Sequence, residues 1–229
     1  IIMKVIITGA TGMIGKGVLL ECLDHEAISE VLVIGRNAVG ITHPKLKEQL
    51  HQDFSDFTPL ATSLVGYDAC YYSLGISAAG LSEEQYRKIT YDYTMALAEV
   101  LYQNNPEMTF IFVSGQGTDS SGTSSMMWAR VKGKAENDLL EMGFKQAFMF
   151  RPGVLMPLRG IKSRTRAYQF MYDYFMWLVK AIKVLVPSYV VSTTQIGLAM
   201  IQATIGGYEG NIINPKDMIT LANRQLAES

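Results

Sequence analysis

The run Lys4-Val-Ile-Ile-Thr-Gly-Ala-Thr-Gly-Met-Ile-Gly15 decides the fold. Its first part, through Thr8, is a short apolar run rich in β-branched residues and predicts a strand. In Thr8-Gly-Ala-Thr-Gly-Met-Ile-Gly15, the glycines at Gly9, Gly12 and Gly15 recur every three residues. Over 13–24, Ile14, Val18, Leu19 and Cys22 fall at helical spacing. A glycine-rich turn between a strand and an amphipathic helix lets backbone come close to a pyrophosphate. The helix N-terminus adds free N–H groups and partial positive charge. A glycine triplet alone says little; this context gives it weight.

Outward from the turn, strands and helices alternate. Apolar runs at 30–34, 46–51, 69–73, 110–113 and 147–150 predict strands, the second of them weak. Segments 83–103 and 126–142 predict helices; the first has Ile89, Met95, Ala96, Ala98, Leu101 and Tyr102 on a mainly apolar side. Short continuous apolar strands between helices predict a parallel sheet covered on both faces, an α/β fold of the doubly wound Rossmann type. A single domain is expected, with a cofactor-binding core over 1–153 and a small substrate-side portion over 154–229, because composition changes after Pro152.

The 229 residues are 48% hydrophobic and 18% charged, which is enough for a sizeable core. A formal net charge of -1 argues against a general nucleic-acid binder. Cys22 and Cys70 sit in apolar stretches and fit a reducing compartment better than a disulfide scaffold. With no signal-peptide pattern before the first strand, a cytoplasmic location is expected. His25, His43 and His51 are scattered, and no metal site is expected.

The second strand runs into Ile34-Gly-Arg-Asn37, with Arg36 placed 21 positions beyond Gly15. A carboxylate at this corner binds the ribose 2′-hydroxyl of NAD, whereas an arginine accepts a 2′-phosphate. The sequence therefore favours NADP(H), with NAD(H) still admissible. A solvated surface arginine is the plainer alternative.

Thr8-Gly-Ala-Thr-Gly-Met-Ile-Gly15, Gly35-Arg36, Asp53-Phe54, Ser73-Leu-Gly75, Val113-Ser114, Lys132 and Arg151-Pro-Gly153 together resemble the short-chain dehydrogenase/reductase superfamily. The nearer match is its atypical NAD(P)-binding branch, with NmrA-like and Tat-interacting-protein-like oxidoreductases. The resemblance implies that Gly9, Thr11, Gly12, Met13, Ile14 and Gly15 cradle the dinucleotide. It implies that Asp53 and Phe54 lie at the adenine, Leu74 and Gly75 along the middle, and Pro152 and Gly153 near the nicotinamide. Ser114 would flank a substrate carbonyl, and Lys132 would orient the nicotinamide ribose.

One departure matters. The superfamily places a proton-donating tyrosine four positions before the lysine, and here that position is Trp128. An indole N–H donates a hydrogen bond but does not exchange its proton near neutral pH. Dinucleotide binding with slow or absent carbonyl reduction is therefore expected. Tyr71, Tyr72, Tyr168 and Tyr172 are other proton sources that the sequence does not choose between. The competing reading is a non-catalytic NADPH sensor acting through a partner. Sugar-nucleotide epimerase chemistry is disfavoured by the absent tyrosine and the short C-terminal part.

The polar loop 115–125 reads either as a mobile cover or as an ordinary Gly/Ser loop. Segment 168–186 predicts a helix whose Gln169, Asp173, Lys180 and Lys183 share one narrow stripe, the rest being apolar or aromatic. Three charges argue against a membrane span. A pocket-lining or subunit-contact helix, with a homo-oligomer admissible, is preferred to a membrane-surface helix beside basic Arg159, Lys162, Arg164 and Arg166. A small molecule is the expected substrate.

Overall fold

The computed structural model describes residues 2–161, 179, 184–186 and 188–228. The chain runs β1 (Met3–Thr8), α1 (Met13–Asp24), β2 (Ile28–Gly35), β3 (Leu46–Leu50), β4 (Ala69–Tyr72), α2 (Glu83–Arg87), α3 (Tyr93–Asn104), β5 (Thr109–Val113), α4 (Met127–Glu141) and β6 (Gln146–Phe150). It continues through β7 (Val154–Met156), β8 (Val190–Ser192), α5 (Thr193–Gly206), β9 (Ile212–Ile213) and α6 (Pro215–Glu228). Seven strands form one parallel sheet in the order β3-β2-β1-β4-β5-β6-β9. This is the doubly wound Rossmann arrangement, with the strand order reversing between β1 and β4.

Alternation along β1 shows why both faces are covered. Val5 and Ile7 join a core with Val18, Leu19 and Cys22 of α1 and with Ile196, Ala199 and Met200 of α5. Ile6 points the other way, into a core with Leu97, Ala98 and Leu101 of α3 and with Ala135 and Leu139 of α4. Period-two side chains thus feed two helix layers from one strand.

The predicted helix 83–103 is interrupted. A π-helical turn, Lys88–Asp92, joins α2 to α3. Its extra residue per turn rotates the buried face, so Leu97 and Val100 are buried beside the expected Met95, Ala98 and Leu101. Ser82 and Gln85 form a reciprocal cap at the start of α2.

The C-terminal part is not all substrate-side. β7 and β8 form a separate two-stranded parallel sheet, whereas α5, β9 and α6 return to the main sheet and one of its cores. Arg159, at φ 58°, turns its guanidinium back to Glu21 (3.1 Å) and Asp24 (2.8 Å) at the end of α1. The helix predicted at 168–186 lies outside the described residues except for 179 and 184–186. Among the described residues, no helix is long and apolar enough to cross a membrane.

α1 and α5 touch through glycine. A Cβ on Gly17 would stand 2.6 Å from the Cβ of Thr193 and 3.0 Å from its carbonyl oxygen. Gly17→Val must push the helices apart, at a cost of about 1–3 kcal/mol. The thermal midpoint is expected to fall by several degrees, at roughly 2–4 °C per kcal/mol for a chain of this size. An unchanged midpoint in a calorimetric scan would show that this contact is looser than described.

Candidate functional site

At the C-terminal ends of the strands the sheet opens into a cleft of about 630 Å3. This is where open parallel sheets take ligands, beside the point at which strand order reverses. The β1–α1 turn contributes Gly9, Thr11, Gly12, Met13 and Ile14, and the end of β2 contributes Arg36. Phe54, Leu74 and Gly75 line the next stretch. Ser114, Gly115, Lys132, Pro152 and Gly153 line the far wall. A smaller depression of about 170 Å3, at Leu140, Lys145 and Asn211, lies by the opposite strand ends.

The glycines of the first turn have separate jobs. Gly9 has φ +69°, and a Cβ there would lie 2.6 Å from the Ser73 carbonyl oxygen. Gly15 does not line the cleft. It lets α1 sit on the turn, because a Cβ would come within 2.2 Å of the Gly9 carbonyl oxygen. Gly12 is the N-cap of α1, with no side-chain cap and no acidic residue in the first turn. The helix N-terminus therefore meets the cleft with its positive end uncompensated by side chains. Among the described residues, the charged side chains lining the cleft are Arg36 and Lys132, and no carboxylate lines it. A side-chain-free cradle, a helix N-terminus and two cations fit a phosphate-bearing dinucleotide.

Besides Gly15, two predicted site residues stand apart from the lining. Asp53 is turned into its own loop, where its carboxylate accepts from Ser55 N–H (3.0 Å) and Ser55 Oγ (2.5 Å). These bonds hold its carboxyl below the usual range. Neighbouring Phe54 is buried, packs edge-on to Phe57 and does line the cleft. Trp128, in the first turn of α4, also lies outside the lining. Its ring covers Gly117, where a Cβ would stand 3.0 Å from Cη2.

Behind the far wall is a buried polar network that the sequence reading did not name. Glu136, fully buried on α4, forms an ion pair with Arg151 from the end of β6, both carboxylate oxygens receiving guanidinium N–H groups. Ser114 Oγ donates to Glu136 Oε1 at 2.5 Å and also lies 3.2 Å from the Phe150 carbonyl oxygen. Lys132, one turn before Glu136, donates from Nζ to the Ser114 carbonyl oxygen. Burial pushes the Lys132 ammonium down to about 8, with the Glu136 carboxylate pulling the other way. Lys132 and Glu136 are i and i+4 on one helix, which was the available signal; the partners arrive only through the fold.

Loop 115–125 is tied down rather than free. The Asp119 carboxylate accepts from Ser121 Oγ (2.6 Å) and from the backbone N–H groups of Ser121 (2.9 Å) and Ser124 (2.6 Å). The Ser121 hydroxyl and then the Ser124 N–H hold its carboxyl down at about 2. Arg130 and Asn137 of α4 donate to the Ser124 and Ser120 carbonyls. Gly133 makes room: a Cβ there would run into the Asp119 carbonyl.

Tyr71 and Tyr72 do not reach the cleft. Both are fully buried, Tyr71 sharing a hydrogen bond with Thr204, and burial pushes both phenols far up. Tyr168 and Tyr172 lie outside the described residues. Among the described residues, no group of His, Cys, Asp and Glu is arranged to hold a metal ion.

Residues 5–124, just over half of the chain, match the NAD dependent epimerase/dehydratase family. Protein HTATIP2 of Rattus norvegicus is 30% identical over 156 residues, covering 67% of this chain and 63% of that protein. The match thus spans less than two thirds of the rat relative's length. Protein fmp52-1, mitochondrial, of Aspergillus terreus is 29% identical over 162 residues, covering 68% of each. In fold, the chain resembles a short chain dehydrogenase/reductase family oxidoreductase from Burkholderia thailandensis, with a TM-score of 0.70 at 16% identity, covering 100% of this chain and 96% of that one. The chain belongs to the NAD dependent epimerase/dehydratase family, within the short-chain dehydrogenase/reductase superfamily.

Proposed function

We propose that the cleft binds a nicotinamide dinucleotide, NADP(H) in preference to NAD(H), and that the protein is an oxidoreductase acting on a small carbonyl or alcohol. One observation carries the reading: the cleft joins an uncapped helix N-terminus and Arg36, with no carboxylate in its lining among the described residues. In this reading the β1–α1 turn takes the pyrophosphate and Arg36 the 2′-phosphate. Phe54 lies along the adenine, with Asp53 fixing its loop. Leu74 and Gly75 follow the middle of the cofactor, Pro152 and Gly153 border the nicotinamide, and Lys132 meets its ribose. The bound cofactor supplies hydride; the protein supplies position, charge and a proton.

The family's name carries NAD; Arg36 is what turns the reading to NADP. A second reading, an NADPH-sensing protein without turnover, is favoured by Trp128 four positions before Lys132, where the superfamily pattern has tyrosine. Epimerase chemistry on a nucleotide sugar receives no support from a cleft without that tyrosine. The buried, unbridged Cys22 and Cys70 support a reducing compartment such as the cytoplasm. The fungal relative's name places that protein in mitochondria.

Calorimetric titration with both dinucleotides tests the preference. NADPH is expected to bind more tightly than NADH, and Arg36→Ala to weaken NADPH by about 1–3 kcal/mol, the worth of a charge-assisted hydrogen bond. Equal affinities, or tighter NADH, would end the NADP assignment.

Turnover of aldehydes and ketones, followed at the NADPH absorbance, tests the role of Trp128. The native protein is expected to reduce them slowly. Trp128→Tyr is expected to raise kcat on the order of 10²-fold with dinucleotide affinity retained, since general acid catalysis is worth at least that. Ordinary native rates that Trp128→Tyr leaves unchanged would show that a phenol at position 128 takes no part in the proton transfer.

A further inference from the structure

We infer that Lys132 Nζ, and not Ser114 Oγ, is the group that meets the substrate oxygen and exchanges a proton with it, Ser114 acting as a positioning residue. This rests on the cofactor reading above and goes beyond it by naming the acid–base group.

Hydrogen counting comes first. A serine hydroxyl has one hydrogen, and a carboxylate in an ion pair only accepts. The Ser114 hydrogen is directed at Glu136, whose other donors come from Arg151 and, at 3.4 Å, from Ser120. Ser114 therefore has no hydrogen left to donate to a carbonyl oxygen in the cleft. Lys132 has three N–H donors, and its hydrogen bond to the Ser114 carbonyl uses one. The other two are available at the wall where Nζ comes near Gly115, within 3.9 Å of a Cβ position there.

Proton exchange comes second. Among the described residues two charged side chains line the cleft, Arg36 and Lys132, and a guanidinium does not serve as a general acid. Tyr71 and Tyr72 are sealed in the cores, and Trp128 is turned onto Gly117. Among the described residues Lys132 remains, its ammonium already brought to about 8 by burial. The charged groups around it are Glu136 on its own helix, Arg151 from β6 and Arg36 across the cleft. Asp119, on the neighbouring loop, is committed to Ser121 and Ser124.

The step balances. The carbonyl carbon gains hydride, the contribution of the bound reduced nicotinamide, which is thereby oxidised. The C=O π pair moves to the oxygen, the Nζ–H bond breaks and an O–H bond forms. The neutral amine left on Lys132 is reprotonated from water. In the reverse direction, the neutral amine takes the alcohol proton as hydride leaves the carbon.

The sign with pH follows. Reduction needs the ammonium, so its kcat is expected to be level below about pH 8 and to fall above it. Alcohol oxidation needs the amine and should rise through the same range.

Two measurements test the inference. In the cofactor-free protein, NMR titration of 13C- and 15N-labelled lysine side chains, with Lys132 assigned by its absence in Lys132→Arg, is expected to give a midpoint near 8. An ordinary lysine midpoint, about 10.4, would overturn the role. In turnover with NADPH and benzaldehyde, Lys132→Arg keeps the cation and is expected to retain NADPH affinity within a few-fold. It should lose kcat on the order of 10²-fold or more, with the fall near pH 8 abolished. Ser114→Ala should cost no more than about tenfold, because its hydroxyl bonds Glu136 and not the substrate, and should keep the pH profile. A larger loss from Ser114→Ala than from Lys132→Arg returns the oxygen to Ser114 and overturns the inference. So does NADPH binding in the native protein without turnover of benzaldehyde. Absence of NADPH binding instead overturns the cofactor reading itself.

Discussion

Backbone lies on backbone at the first turn, and much of the molecule is arranged around that contact. With Gly9 at positive φ and a hypothetical Cβ only 2.6 Å from the Ser73 carbonyl oxygen, no larger residue keeps β1 and β4 in place and the turn closed. Gly15 lets α1 rest on the Gly9 carbonyl, and Gly17 lets α5 rest on α1. Because β1 and β4 are neighbours whose connections depart in opposite directions, the tight turn leaves a space between the chain ends above them. The cleft follows from the strand order and from this close approach together.

The far wall depends on a different interaction. Glu136 and Arg151 form an ion pair at the junction of α4, β5 and β6, with the carboxylate fully buried. A buried pair of this kind is weak evidence for net stability, because desolvation offsets much of the attraction; removing one partner alone typically costs about 3–5 kcal/mol. What the pair does locally is clearer. It takes the Ser114 hydroxyl, whose residue in turn receives the Lys132 ammonium on its carbonyl.

The first turn, the alternating strands and the helix 126–142 were legible because each is a local pattern: a glycine triplet, a run of β-branched residues, a 3.6-residue period. Arg36 and Ser114 could be aligned with one cleft because a parallel sheet puts the residues after its strands on one edge, whereas Phe54 and Lys132 were placed by the family resemblance. Glu136 was not legible. In Lys132-Gly-Lys-Ala-Glu136 it looks like one of many charges on a solvated helix, and only the arrival of Arg151 and Ser114 from two strands marks it. The π-helical turn at Lys88–Asp92 left no periodic trace either. The return of α5, β9 and α6 to the core was equally hidden, because β9 has two residues and its pairing with β6 is non-local.

Loop 115–125 carries more hydrogen bonds than its glycine and serine content suggests. Glycine and serine suggest freedom, yet Asp119 gathers the loop's own hydroxyl and N–H groups, and Arg130, Asn137 and Gly133 fasten it along α4. Trp128 belongs to this frame: its ring lies on Gly117, at φ +85°, instead of turning into the cleft. A tyrosine pointed at the cleft would leave that glycine uncovered. The indole therefore serves the loop, and the loop holds the start of α4, from which Lys132 follows one turn later. The same side chain thus covers the loop and leaves the cleft wall to Lys132.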